Sequence, residues 1–141
     1  MAFNCKAPLQ ALKTLVEGLA GMQDVLEGVP QSLAYRVSAY ITVGGQQPKD
    51  SAGGLRSRWA SYRVTFAYRV GGAETTAEEA IADLLDALEA ALYADRTLSG
   101  TVESLEADWS AADEPRYVPV AGSEFREYPV MVRVKQSRNY P

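Results

Sequence analysis

A chain of 141 residues with a formal net charge of −4 and 47% hydrophobic residues is long enough to bury roughly two-thirds of its unfolded surface as one domain, which sets it apart from disordered and fibrous compositions. It holds no histidine and a single cysteine, Cys5; the commonest general base near neutral pH and the commonest metal ligand are therefore missing, and no internal disulfide is possible. No apolar run approaches the about 18 residues needed to span a bilayer and no signal-peptide core opens the chain, so synthesis and folding in a cytoplasm are expected, with no membrane partner.

The first element is a helix over Pro8 to Leu19, with Leu9, Leu12, Val16 and Leu19 on one face and Pro8 tolerated in the first turn. Gly18 weakens it and Gly21 ends it. Met22 to Pro30, interrupted by Gly28, reads as an irregular connection packed at Val25, Leu26 and Val29. Residues 33 to 43 alternate: Leu33, Tyr35, Val37, Ala39, Ile41 and Val43 point one way, and Arg36, Ser38, Tyr40 and Thr42 the other, the pattern of a half-buried strand. Trp59 to Val70 repeats that pattern with Tyr62, Val64, Phe66, Tyr68 and Val70. Between them Gly44 to Arg58 reads as a long loop and a candidate contact arm. Its glycines do not make a phosphate loop, because Gly53-Gly54-Leu55-Arg56 lacks the Gly-Lys-Ser/Thr spacing and leads into a strand.

Gly71 and Gly72 break that strand before an acidic amphipathic helix over residues 75 to 92. Thr76 and Glu79 have capping-box spacing, and Ala77, Ile81, Leu84, Leu85, Leu88 and Leu92 form an apolar stripe. The helix leaves through Asp95-Arg96-Thr97-Leu98-Ser99-Gly100 into a third strand over Thr101 to Trp109, whose apolar positions imply a bulge or a late start. Asp113 to Ser123, with Pro115, Pro119 and Gly122, reads as a second loop. The last strand, Phe125 to Lys135, sets Tyr128, Val130, Val132 and Val134 against Met131, Arg133 and Lys135, with Pro129 pointing to an edge or an irregular entry. The N-terminal end and a tail from about residue 136 are expected to be flexible.

The expected fold is thus a single α+β domain over residues 1–141, in the order α-β-β-α-β-β. Short connections favour a four-stranded, mainly antiparallel sheet with both helices packed on one face. The opposite face, with Tyr40, Trp59 and Met131 partly exposed, is left for solvent or a partner.

Charge is segregated along this order. Glu74 to Asp95 and residues 103 to 114 carry acidic groups and no basic ones, whereas Lys49, Arg56, Arg58, Arg63, Arg69, Arg126, Arg133, Lys135 and Arg138 gather on the strands and the arm. This polarity is either solvated decoration or a device that orients identical subunits. It lacks the basic excess of a general nucleic-acid binder. Carboxylates such as Glu103 and Asp108 lack the opposed environments of a catalytic pair, and Asp108, Asp113 and Glu114 do not match a calcium loop. No catalytic residue, cofactor or metal is assigned.

The N-terminal helix, the strand Tyr35 to Val43, the Gly-rich segment, the strand Trp59 to Val70, the helix Thr76 to Leu92 and the exit Asp95 to Val102 together resemble the tail terminator proteins of long-tailed, siphovirus-like bacteriophages and prophages. The resemblance spans most of the chain and rests on the order of the elements. It implies an antiparallel sheet with helices on one side and a non-enzymatic virion protein assembled in the host cytoplasm. Such a protein forms a ring, commonly a homohexamer, at the head-proximal end of the tail tube, where it stops tube polymerisation and offers a docking surface to head-completion or neck proteins. Its partners would be itself, the tail tube protein and the head-completion or neck protein, with double-stranded DNA passing through the lumen without sequence-specific binding.

Within that reading Glu79, Asp83 and Asp86 on the helix, and Arg63, Arg69, Arg133 and Lys135 on the strands, are the subunit-interface candidates. Lys49, Arg56 and Arg58 are candidates for contact with the tube or the head side. Other neck, tail-completion and minor tail proteins share this layout and stay open as alternatives, as does a small α+β ligand-binding module with a concave pocket.

Overall fold

Alternation of side chains builds three long strands at the centre of the molecule, and the helices and short strands are arranged around them. The computed structural model describes residues 4–50, 56–71, 74–109 and 116–137. Its elements are α1 (Lys6–Glu17), β1 (Asp24–Glu27), β2 (Val37–Asp50), β3 (Arg56–Arg69), α2 (Glu74–Ala94), β4 (Ser104–Asp108), β5 (Arg116–Val120) and β6 (Ser123–Ser137). The α+β class stands. The four-stranded order is corrected to a six-stranded mixed sheet in the order α-β-β-β-α-β-β-β.

Across the sheet the strands run β1-β2-β3-β6-β4, with β5 also pairing β6. Among the described residues only the β1–β2 pairing is parallel, and the other four are antiparallel. β4 joins β6 at residues 131–135 and β5 joins it at 123–127, so the two short strands lie end to end along one edge. Pro129 falls in the gap between them. The Lys135 carbonyl accepts from Glu103 N–H on that edge, and alternation along the unbroken β6 register brings the proline nitrogen to the same edge. Its missing N–H therefore costs no ladder hydrogen bond.

Ala39 and Ile41 of β2, Ala60, Tyr62, Val64, Phe66 and Tyr68 of β3, and Val130, Val132 and Val134 of β6 point to one face. There they pack with Leu12 and Val16 of α1 and with Ala77, Ile81, Leu84, Leu88 and Leu92 of α2 in a single cluster. Both helices therefore sit on one side. α1 runs from Lys6 to Glu17, starting and ending two residues earlier than its periodicity suggests, with Gly18 as its C-cap. α2 already runs through Glu74, so Thr76 lies inside the helix and the Thr76–Glu79 capping box is not its start. Glu78 in the first turns is instead held by Arg126 Nε at 2.6 Å and by the Tyr117 hydroxyl at 2.7 Å. These contacts, led by the arginine, keep the Glu78 carboxyl below its ordinary range.

Four further expectations are corrected. Met22 to Pro30 contains β1, flanked by Gly21 at φ 84° and Gly28 at φ 86°. β2 begins only at Val37, and it does not stop at Val43: Gly44 and Gly45 form an irregularity after which Gln46–Asp50 pairs with Ala60–Arg56. The long loop is thus mostly a β-hairpin, with residues 51–55 outside the described ones. The second loop contains β5, which turns into β6 through Ala121 at φ 49° and Gly122 at φ 86°, the paired positive φ of a tight hairpin. At the C-terminus Gln136 is not tail but buried strand, donating to Asn4 O at 2.9 Å and Thr101 O at 3.1 Å; the rest of the expected flexible tail, from 138, and residues 1–3 at the N-terminal end lie outside the described residues.

Candidate functional site

The side of the sheet opposite the helices divides into two halves. Over one half the chain from Gly28 to Leu33, together with β5, covers Ala67 and Phe125 and makes a second small core with Leu33, Leu26 and Val120. Here Tyr40, expected to be partly exposed, is buried, and its hydroxyl donates to Glu127 Oε2 at 2.8 Å. Burial, reinforced by that carboxylate, pushes the phenol up to about 12.

The other half is open. The register sets Trp59 beside Lys135, Ser61 beside Arg133, and Arg63 beside Met131 and Thr42. On β4, Ser104, Glu106 and Asp108 continue the same rows. Three of the predicted basic candidates, Arg63, Arg133 and Lys135, are thereby brought onto one surface with the half-buried Trp59 and Met131. Arg133 is partly engaged: it donates to Glu106 Oε1 at 3.1 Å, and its guanidinium carbon lies 5.3 Å from the centre of the Trp59 ring. Arg63 is exposed.

Arg69 does not join this surface. Its guanidinium lies over the Phe125 ring and donates to the carbonyls of Leu33 and Ala34 at 3.4 Å each, which clamps the covering segment to the sheet. Arg58 points to the helix side and donates to Gln136 Oε1 at 3.1 Å. Lys49 and Arg56 lie in the hairpin strands, and their side chains lie outside the described ones. The arm candidates are therefore a strand-bound set and not a loop cluster.

On the helix side Glu79, Asp83 and Asp86 are all exposed, on the face of α2 turned away from the core. Glu79, Asp83 and Asp86 thus lie on the opposite side of one slab from Arg63, Arg133 and Lys135. Tyr93, 76% exposed, adds an aromatic to the acidic helix.

A third feature is an open strand edge. β1 pairs residues 38–41 of β2, and among the described residues no strand continues that pairing beside Gln46–Asp50 on the side away from β3. An open strand edge is a ready template for another chain. Sequence reading missed it because Gly44, Gly45 and Pro48 look like loop residues. Among the described residues no group of three His, Cys, Asp or Glu side chains converges to hold a metal ion, and no helix is long and apolar enough to cross a membrane. No protein-family model and no curated protein matches the chain.

Proposed function

We propose that this protein is a structural subunit of a phage or prophage tail, assembling head-to-tail into a ring that caps the head-proximal end of the tail tube and receives the head-completion or neck protein. The observation that carries the reading is the placement of the exposed carboxylates Glu79, Asp83 and Asp86 of α2 on the side opposite Arg63, Arg133 and Lys135 of the sheet, a face that also holds Trp59 and, at its β4 edge, Glu106 and Asp108. Carboxylates on one side and a group of cations on the far side favour heterologous contacts, which close into a ring when the rotation permits. The resemblance of the sequence to tail terminators supplies the biological setting, although the element order it rests on gains β1 and β5 in the structure, and the edge of β2 beside Gln46–Asp50 adds a docking edge for the tube or for a neighbour.

In this reading the chemistry is docking alone. One axial face of the ring binds the last tube ring and, because the opposite face differs, tube growth stops there. The test is electron microscopy of the purified protein, alone and with tubes assembled from the tail tube protein of the same phage, together with native mass. Rings, or caps at one end of the tubes with arrested growth, are expected. A protein that stays monomeric and leaves tube length unchanged overturns the reading.

A further inference from the structure

On the covered half of the sheet, beside the Tyr40–Glu127 contact, lies a cavity of about 310 Å³. Val29, Pro30 and Val118 give it apolar walls, and Tyr40, Glu127 and Arg116 supply its polar groups. Glu127 is 3% exposed, and its two oxygens are treated unequally. Oε2 accepts from the Tyr40 hydroxyl. Among the described residues Oε1 accepts no hydrogen bond; it forms an ion pair with Arg116 Nε at 3.5 Å, and the Arg116 side chain is 55% exposed.

A buried carboxylate is costly unless its oxygens meet donors. Here one oxygen of a residue lining an open cavity has none among the described residues. Arg116 faces it at ion-pair range from a side chain more than half exposed, and leaves its hydrogen-bonding capacity unfilled. An anion entering this cavity would meet a buried negative charge, and a wholly apolar molecule would leave Oε1 without a donor.

We propose that this cavity binds a guanidinium or ammonium group carried on an aliphatic stem. Its N–H groups complete Glu127 Oε1 in a charge-assisted hydrogen bond, and the stem packs against Val29, Pro30 and Val118. The group has two sources: a free alkyl amine or guanidine, or a lysine or arginine side chain of a second copy of this chain. The inference stands apart from the tail reading, since it needs neither a ring nor a tube.

The test is titration of the full-length protein with n-butylguanidinium, followed by backbone amide shifts. Saturable shifts centred on Val29, Gln31, Arg116, Val118, Val120 and Glu127 are expected, at an affinity of about millimolar for so small a ligand. The neutral n-butanol should bind at least about tenfold more weakly, and Glu127→Gln should cost a similar factor by removing the charge. Val118→Phe, which fills the cavity from its wall and leaves Glu127 in place, should abolish the shifts and decides the matter if Glu127→Gln does not fold. Absence of saturable shifts, equal binding of n-butanol, or unchanged binding by both variants overturns the proposal. Sedimentation at saturating n-butylguanidinium, with sodium chloride at matched ionic strength as control, separates the sources. A selective fall in self-association assigns a basic side chain of a second copy, and unchanged mass with the cavity filled assigns a free amine or guanidine.

Discussion

Tyr40 shows how one buried hydroxyl couples the covered face to pH. Its hydrogen bond satisfies Glu127 Oε2, and removing that donor leaves a buried acceptor unsatisfied at a cost of about 1–3 kcal/mol, the loss expected for Tyr40→Phe. The phenol is raised from its ordinary 10.0 to about 12, chiefly by burial and then by Glu127. A folded-state value above the unfolded one means that the neutral phenol is favoured in the fold. Its contribution is therefore whole below the ordinary value of 10.0 and drains away as pH rises towards about 12. Urea unfolding through that window should show wild type losing stability more steeply with pH than Tyr40→Phe; parallel slopes would contradict the assignment. Leu98 carries a different residue-scale lesson. It is fully buried at φ 45°, followed by Ser99 at φ 57° and Gly100 at φ 80°. The exit from α2 is thus a left-handed run, held where Ser99 N–H donates to both Asp95 carboxylate oxygens at 3.0 and 3.1 Å. Non-glycine residues adopt this conformation only when surrounding structure compensates, and the buried Leu98 side chain provides that compensation.

At the scale of elements, the β2–β3 hairpin turns on Gly44. A Cβ there would lie 3.1 Å from Ser61 O and 3.2 Å from Ser61 Cβ, whereas at Gly45 it would meet nothing within 4 Å. Gly44→Val should therefore push the paired strands apart, at about 1–3 kcal/mol by analogy with overpacking, and Gly45→Val should cost under about 0.5 kcal/mol. Denaturant midpoints and amide exchange of 56–62 would show the contrast, and equal effects at the two sites would refute the close-approach account. The same glycine explains what sequence could and could not disclose. Strands with clean alternation, such as Val37 to Val43, Trp59 to Arg69 and Tyr128 to Lys135, declare themselves, as does the stripe of α2 from Ala77 to Leu92. Where tertiary pairing imposes strand on residues that favour turns, at Gly44-Gly45, at Pro48 and at Pro119 on the outer strand β5, local composition misleads. β1 is four residues long and gains its strand geometry from a parallel partner, which no short-range pattern announces. The site divides in the same way. Parity along β3 and β6 places Arg63, Arg133 and Lys135 together. The capture of Arg69 by Leu33 and Ala34, and the burial of Glu127, depend on a segment crossing from elsewhere in the chain.

For the whole molecule the decisive question is whether its opposite charges meet. Single exposed pairs contribute only about 0.2–1 kcal/mol and are screened beyond about 8 Å at physiological salt, so the polarity acts through several charges together and head-to-tail association should weaken as salt rises. Arg63 and Lys135 are the cleaner basic residues to reverse, because Arg133 already engages Glu106 and Arg69 clamps the covering segment. Arg63→Glu with Lys135→Glu makes the sheet face acidic like the helix face, and Asp83→Lys with Asp86→Lys puts lysines on the helix face opposite the cations of the sheet. Each double variant should associate at least about tenfold more weakly than wild type, since two attractions per contact become repulsions. Mixed in equal amounts the two should assemble again, because the reversed sheet of one now faces the reversed helix of the other around an alternating ring. Alternation closes without a mismatched contact only when the number of subunits is even, so full recovery in sedimentation also favours a hexamer over an odd ring. If both variants alone assemble as wild type does, the charged faces are solvated decoration and the subunit contact lies elsewhere, with the edge of β2 beside Gln46–Asp50 the next surface to block.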